Sequence, residues 1–371
     1  MELNVTYGMD SGINTTTFEA TKTETSDYYD SNENAACDNA DVRKFGSFFL
    51  TLLYSIVLVL GLLGNILIIC VLFKYSKTKT RSMTDMYLFN LAVMDLLFVF
   101  SLAFWAIYAT EASWIFGDAM CKIVTAVSMT GFYGGIFFVT LMCIDRYLVV
   151  AHAVSVFRNT RVVYGRVACV AVWILSFCAS LPEILFSTTF HFSNETWICT
   201  IEQKWTVFCY TEINVVGLFI PLLIIVVFYS LILNNLLRCK NRKEQKAVKL
   251  IFLVMCTFFI CWTPYNIVLL LHALQLKGVI QDCATSINLD YALQITEPIA
   301  FAHCCLNPII YAFVGKKYQQ YLHNLLCEYA LYRYLHKLFC QDSRVKRLSS
   351  VYSQSQASHE NGPSTTLVIS F

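Results

Sequence analysis

The stretch FGSFFLTLLYSIVLVLGLLGNILIICVLF, from Phe45 to Phe73, contains no charged side chain. A hydrocarbon core about 30 Å thick needs about 20 residues at helical rise, and a segment inside lipid must satisfy its own backbone hydrogen bonds, which selects the helix. Six further stretches read the same way. Ile123 to Ile144 and Ile213 to Leu237 are uncharged, and Met86 to Ala109 has only Asp95. The stretch from Val167 reaches Glu183 only at its end, Leu250 to Leu274 carries just His272, and Ile287 to Val314 contains Asp290, Glu297 and His303. The expected fold is all-α, a seven-transmembrane-helix bundle followed by a short amphipathic eighth helix.

Composition agrees. Hydrophobic residues make up 57% of the 371 residues and charged ones 14%, against about a quarter charged in a soluble domain. The net charge of +2 hides an asymmetry that reports orientation rather than nucleic-acid binding. Lys74, Lys77, Lys79 and Arg81 follow the first stretch. Arg158, Arg161 and Arg166 separate the third and fourth, and Arg238 to Lys249 joins the fifth and sixth with six basic residues. The alternate loops hold only Lys122, Lys204 and Lys277. By the positive-inside rule the basic loops are cytoplasmic, and an odd number of spans puts the N-terminus outside. Residues 1–44 then form an extracellular acidic segment, 45–315 the membrane domain and 316–371 a cytoplasmic end. Met1 to Ala40 is polar throughout, so no cleavable signal is visible and the first span is expected to act as the export signal.

The N-terminal segment has too little apolar surface to fold alone. Asn4, Asn14 and Asn194 each begin an Asn-x-Thr glycan acceptor on the outer side. Four of the sixteen cysteines, Cys37, Cys121, Cys199 and Cys283, fall on that side as well. An even set in an oxidising compartment suggests two disulfides, and three connectivities are open. The tail from Ser343 carries many Ser and Thr and reads as a phosphorylatable segment, while Cys327 and Cys340 lie where palmitoylation occurs.

A charge at mid-membrane costs roughly 2.5 to 3.5 kcal/mol on the lenient insertion scale, so intramembrane acids are functional candidates. Asp95 and Glu297 are the two. Asn65, His303 and Asn307 are candidate neighbours of Asp95, where a cation, a proton or a purely structural hydrogen-bond network could reside. Pro182, Pro221, Pro264, Pro298 and Pro308 each remove a helix donor and favour kinks. No nucleophile, metal cluster or phosphate loop supports an enzyme, and no repeat between the halves supports a transporter.

The motifs come in a fixed order: Gly64-Asn65; Leu91 to Asp95; Asp145-Arg146-Tyr147; Trp173; Pro221 with Tyr229; Cys261-Trp262-Thr263-Pro264; Asn307-Pro308-Ile309-Ile310-Tyr311. In these the chain resembles the rhodopsin-like G-protein-coupled receptors. The stretches Asp145 to Val154, Trp262 to Asn266 and His303 to Pro308 are similar to CC chemokine receptors, and Gln281 to Cys283 with Leu289 to Ala292, together with Lys246 to Phe252, are most similar to type 4, with type 8 close. One departure stands out, since the family's Thr-x-Pro of the second helix is Ser101-Leu102-Ala103 here, which leaves the shape beside Trp105 and Tyr108 open.

The resemblance implies the disulfides Cys121 to Cys199 and Cys37 to Cys283. It implies a chemokine protein ligand, met first by Tyr28 and Tyr29 as sulfated residues in an acidic run. Tyr54, Trp105, Tyr108, Tyr265 and Tyr291 would line an aromatic pocket in which Glu297 pairs a cationic group. For coupling to an inhibitory-class heterotrimeric G protein it implies Asp145, Arg146, Tyr147, Tyr229, Trp262, Pro264, Asn307, Pro308 and Tyr311, and at the tail receptor kinases and arrestin. No cofactor is expected apart from an allosteric sodium ion at Asp95, with Asn65, His303 and Asn307. Residence in the plasma membrane follows, with a scavenging receptor that does not signal as the rival.

Overall fold

The computed structural model describes residues 40–76, 83–151, 158–193, 196–238, 242–315, 318–320 and 322–323. Asn4, Asn14, Tyr28, Tyr29, Cys37, Asn194 and both tail cysteines lie outside the described residues.

Seven helical spans are long and apolar enough to cross a membrane: Lys44–Lys74, Met83–Glu111, Gly117–Ala151, Val162–Phe186, Gln203–Asn235, Val248–Leu276 and Cys283–Val314. The all-α, seven-span architecture is therefore present, and the chain is a multi-pass membrane protein. The chain divides into two units, Met1–Val314 and Gly315–Phe371. In the second, 318–320 and 322–323 are helical, too short a stretch to define the expected eighth helix.

Apolar faces sort the spans. Leu88, Leu91, Met94 and Leu102 of the second and Tyr133, Ile136, Phe138 and Met142 of the third are fully buried. The fourth span instead turns Val167, Val170 and Ile174 outward, each more than half exposed. Side chains of that kind are stable only against lipid, so the second and third spans form the core and the fourth faces the bilayer. Glycine permits two close approaches. A Cβ at Gly64 would stand 2.8 Å from the ring of Pro308, and one at Gly131 would stand 2.8 Å from the backbone of Met94 and Phe98.

The fifth span begins at Gln203, ten residues before the uncharged stretch that marked it in the sequence. Its first three turns carry Lys204, Thr211 and Glu212, which a hydropathy criterion rejects. A π-helical turn at Val215–Phe219 precedes Pro221, where the missing proline N–H leaves a carbonyl without its usual partner. The second span is one continuous helix through Ser101-Leu102-Ala103. There the Ser101 hydroxyl donates to the Phe98 carbonyl at 2.6 Å and accepts from Ser128 of the third span at 2.7 Å. Hydroxyl bonding to the preceding turn thus stands in place of the proline.

Between the fourth and fifth spans, β1 (Ser187–Ser193) and β2 (Thr196–Ile201) form an antiparallel hairpin with an irregularity between His191 and Ser193. The Cys121–Cys199 disulfide ties β2 to the third span across 5.6 Å between Cα atoms. Three further bonds hold it down: Thr189 donates its N–H to Asp118 at 2.9 Å, Trp114 donates its backbone N–H to the Trp197 carbonyl at 2.7 Å, and Trp197 donates its own N–H to Ser113 Oγ at 3.0 Å. Cys283 is also disulfide-bonded, while its expected partner Cys37 lies outside the described residues.

Candidate ligand cavity and switch

Under the hairpin lies a cavity of about 70 Å³, room for a few waters or one inserted side chain rather than a folded domain. Cys199, Thr200 and Ile201 roof it. Phe98, Phe132, Trp262 and Phe301 form its base, and Trp105 and Tyr265 stand in its wall. Trp105 is fixed by donating its Nε1–H to Ser128 Oγ at 3.2 Å, so the Ser101 network described above positions one of the expected aromatic residues.

The remaining expected residues lie around this cavity rather than on its surface. Tyr54 is buried and donates its hydroxyl to Glu297, which is buried too, and its ring packs 5.8 Å from that of Phe301. Tyr54 and Glu297 thus sit one layer behind the aromatic base, joined as a single unit. Tyr108 packs between Trp105 and Trp114 with centroids 6.1 and 5.6 Å away. Tyr291 is half-buried and meets Phe45 edge-on at 5.6 Å, on the side of the first span.

A group that sequence reasoning passed over faces the cavity directly. Glu183, only 1% exposed, lines it. Tyr133 of the third span donates its hydroxyl to Glu212 and lies 3.4 Å from Glu183. Glu183 read as the end of the fourth hydrophobic stretch, but the helical turn Leu181–Phe186 that carries it lies against the cavity. Trp114, 2% exposed and donating to the Gly117 carbonyl at 2.9 Å, was also missed. Only its place between Tyr108 and the hairpin reveals it.

Below the cavity the expected switch residues connect. Trp262, two residues before Pro264 inside the sixth helix, donates to His303 Nδ1 at 3.1 Å. His303 Nε2 lies 4.0 Å from Asp95, whose other oxygen accepts from Asn307 at 2.9 Å. The His303 Nδ1 also lies 2.7 Å from the Ala300 carbonyl. One ring nitrogen cannot both accept from Trp262 and donate to Ala300, so the tautomer of His303 decides which contact holds. Asn307 begins the motif whose Pro308 lies inside the last helix and whose Tyr311 is buried. The residues do not fit sodium well. Asn65 commits its amide N–H groups to the carbonyls of Gly61 and Cys304, both at 3.0 Å, so its Oδ1 is the one atom it could offer a cation. Gly135 faces Asp95 without a side-chain oxygen, and the groups gathered there add a ring nitrogen and the Cys304 thiol. Hard cations prefer oxygen shells.

At the opposite end from the hairpin, Arg146 pairs with Asp145 at 2.7 Å and donates to Thr84 Oγ1 of the second span at 2.6 Å. Tyr147 meets Phe228 edge-on at 5.3 Å, and Tyr229 stacks on Phe252 at 4.5 Å. The arginine is closed on its own bundle, and Thr84 is a partner that the motif alone did not disclose.

These features define a seven-helix membrane protein with a cavity at one end and a locked arginine at the other. The model of 7 transmembrane receptors of the rhodopsin family matches residues 64–311. The chain is 48% identical to the human C-C chemokine receptor type 4 over 306 residues, 79% of this chain and 84% of that one. It is 41% identical to the human type 1 receptor over 345 residues (91% and 96%) and 44% identical to the guinea-pig (Cavia porcellus) type 3 receptor over 306 residues (81% and 84%). The chain belongs to the rhodopsin family of seven-transmembrane receptors and, within it, to the CC chemokine receptors, a family of receptors rather than enzymes.

Proposed function

We propose that this chain is a signalling chemokine receptor of the plasma membrane, with its N-terminus and hairpin outside the cell. A small basic chemokine is captured by the acidic N-terminal segment, where sulfated Tyr28 and Tyr29 add charge, and its own N-terminus enters the cavity under the hairpin. The observation that carries this reading is the Glu297–Tyr54 unit, a buried acid held by a phenol and reached through Phe301 and Tyr265. An ammonium group drawn there makes a charge-assisted contact in a dry setting.

Ligand shifts the bundle only by binding one conformation better than another. Trp262 at the base of the cavity, His303 and Asp95 form the route along which that preference reaches Asn307 and Tyr311. Outward movement of the sixth helix then frees Arg146 from Asp145 to meet an inhibitory-class G protein, driving calcium signalling and chemotaxis. Receptor kinases and arrestin act afterwards on the Ser-rich tail. The intact Asp145–Arg146 pair supports signalling over scavenging. A panel of purified chemokines applied to cells expressing the chain tests this through inhibition of cyclic-AMP accumulation. Internalisation of a bound chemokine without any fall in cyclic AMP would leave the scavenging role in its place.

A further inference from the structure

We propose that Glu183 and Glu212, gathered on the hydroxyl of Tyr133, form a second cation-accepting subsite of the cavity that takes a guanidinium group of the ligand. The inference rests on reading this cavity as a ligand site and names a separate feature within it. Tyr133 has one hydroxyl proton to give, and two carboxyl groups lie on it. Carboxylates so close repel unless a proton or a cation sits with them. Among the described residues neither acid has an ion pair with Lys, Arg or His. Glu183 is buried, yet its Oε2 has no hydrogen-bond partner, an arrangement that is ordinarily destabilising. Because Glu183 lines the cavity, that oxygen is available to a group entering from the hairpin end.

The chemistry favours guanidinium over ammonium. Its planar fork can serve two carboxyl groups at once and stack on aromatic rings. Phe132 and Tyr210 line the same cavity as Glu183, and Phe132 packs 4.9 Å from Tyr133. The Tyr54–Glu297 unit, with one carboxylate, suits a point charge instead. Glu183 thus lines the cavity from the fourth span, while the Tyr54–Glu297 unit lies one layer behind its base.

Benzylguanidinium, with neutral benzylurea as its control, tests this on the purified full chain carrying Glu297→Gln, which removes the other acid. The guanidinium at about 10 mM, well above the millimolar Kd of a fragment-sized ligand, is expected to raise the unfolding midpoint while the urea does not. Adding Glu183→Gln or Glu212→Gln should weaken the apparent affinity at least about ten-fold. Equal protection with and without those two substitutions, or no protection at 10 mM, would overturn the proposal. If one glutamine variant fails to fold, the other carries the test. Neither chemokine nor G protein enters the measurement, so its failure is distinct from failure of the cyclic-AMP assay.

Discussion

The two ends of the bundle handle charge in opposite ways. At the Arg146 end the buried charge is neutralised within the chain, arginine to aspartate at 2.7 Å, with Thr84 filling a further donor. At the hairpin end the acids Glu297, Glu183 and Glu212 are held by the phenols of Tyr54 and Tyr133. A phenol satisfies one lone pair and supplies no positive charge. The first end is therefore neutral in itself, although the Arg146 Nε–H has no hydrogen-bond partner, and it responds only when something pulls its pair apart. The second leaves the buried Glu183 Oε2 without a partner, an acceptor that an incoming cation can meet. A receptor needs that division, since one end must wait for a ligand while the other stays shut until the ligand has come.

Removing the roof should be the most damaging way to break this contrast. Cys121→Ser cuts the disulfide that pins β2 over the third span and leaves the hairpin on its hydrogen bonds to Asp118, Ser113 and Trp114. Closing a loop of this length contributes a few kcal/mol in chain-entropy terms, and the loop in question roofs the cavity. Chemokine binding to cells should become undetectable while the chain is still found at the surface by antibody. Glu297→Gln comes next. It keeps the shape and removes the charge, so agonist potency in the cyclic-AMP assay should fall about ten- to a hundred-fold, the equivalent of about 1.5 to 3 kcal/mol for a charged hydrogen bond. Unchanged potency would place the ligand's cationic group elsewhere.

At the other end Asp145→Asn should act in the opposite sense. Arg146 would keep Thr84 and lose its counter-charge, so the closed state loses stability that the open state never had. Basal signalling without chemokine should rise several-fold, read as lowered cyclic AMP in untreated cells. A silent Asp145→Asn variant would mean that the lock resides in the Tyr229–Phe252 stack instead.

Much of this division is visible in the sequence, and what is not has a physical reason. The spans follow from uncharged length, and Asp145-Arg146-Tyr147 and Glu297 announce themselves as charges where charges are costly. Glu183 and Glu212 escape because they lie at span ends, where a carboxylate is commonplace. Nothing in the local pattern tells that Glu183 faces the cavity, or that the fifth helix begins ten residues before its apolar stretch. Thr84 is invisible for a similar reason, being one threonine at a helix start until the third span brings Arg146 against it. The missing proline of the second helix signalled a change near Trp105, but only the packed bundle shows Ser128 reaching Ser101 there. Contacts between elements decide these roles, and periodicity within one element does not report them.

The smallest expected effect lies at the first turn of the seventh span, beside the disulfide-bonded Cys283. Asp282 caps that helix by accepting from the Thr285 N–H at 2.9 Å and from its hydroxyl at 2.8 Å. These bonds to Thr285 hold its carboxyl below the ordinary carboxylate value of 3.8. A carboxyl with a depressed folded value contributes stability above its unfolded pKa and loses it as pH falls through the folded one. The cap should therefore be intact at neutral pH and fray only below about pH 4. Hydrogen exchange of the amides from Ala284 to Ser286 reads this locally. Asp282→Ala should speed exchange there at pH 7. Asp282→Asn, whose side chain still accepts, should exchange as slowly as the parent at pH 7 and lose the acid dependence. If Asp282→Ala exchanges no faster, the disulfide at Cys283 alone fixes this helix start, and the hairpin end is held more by covalent ties than by its charges.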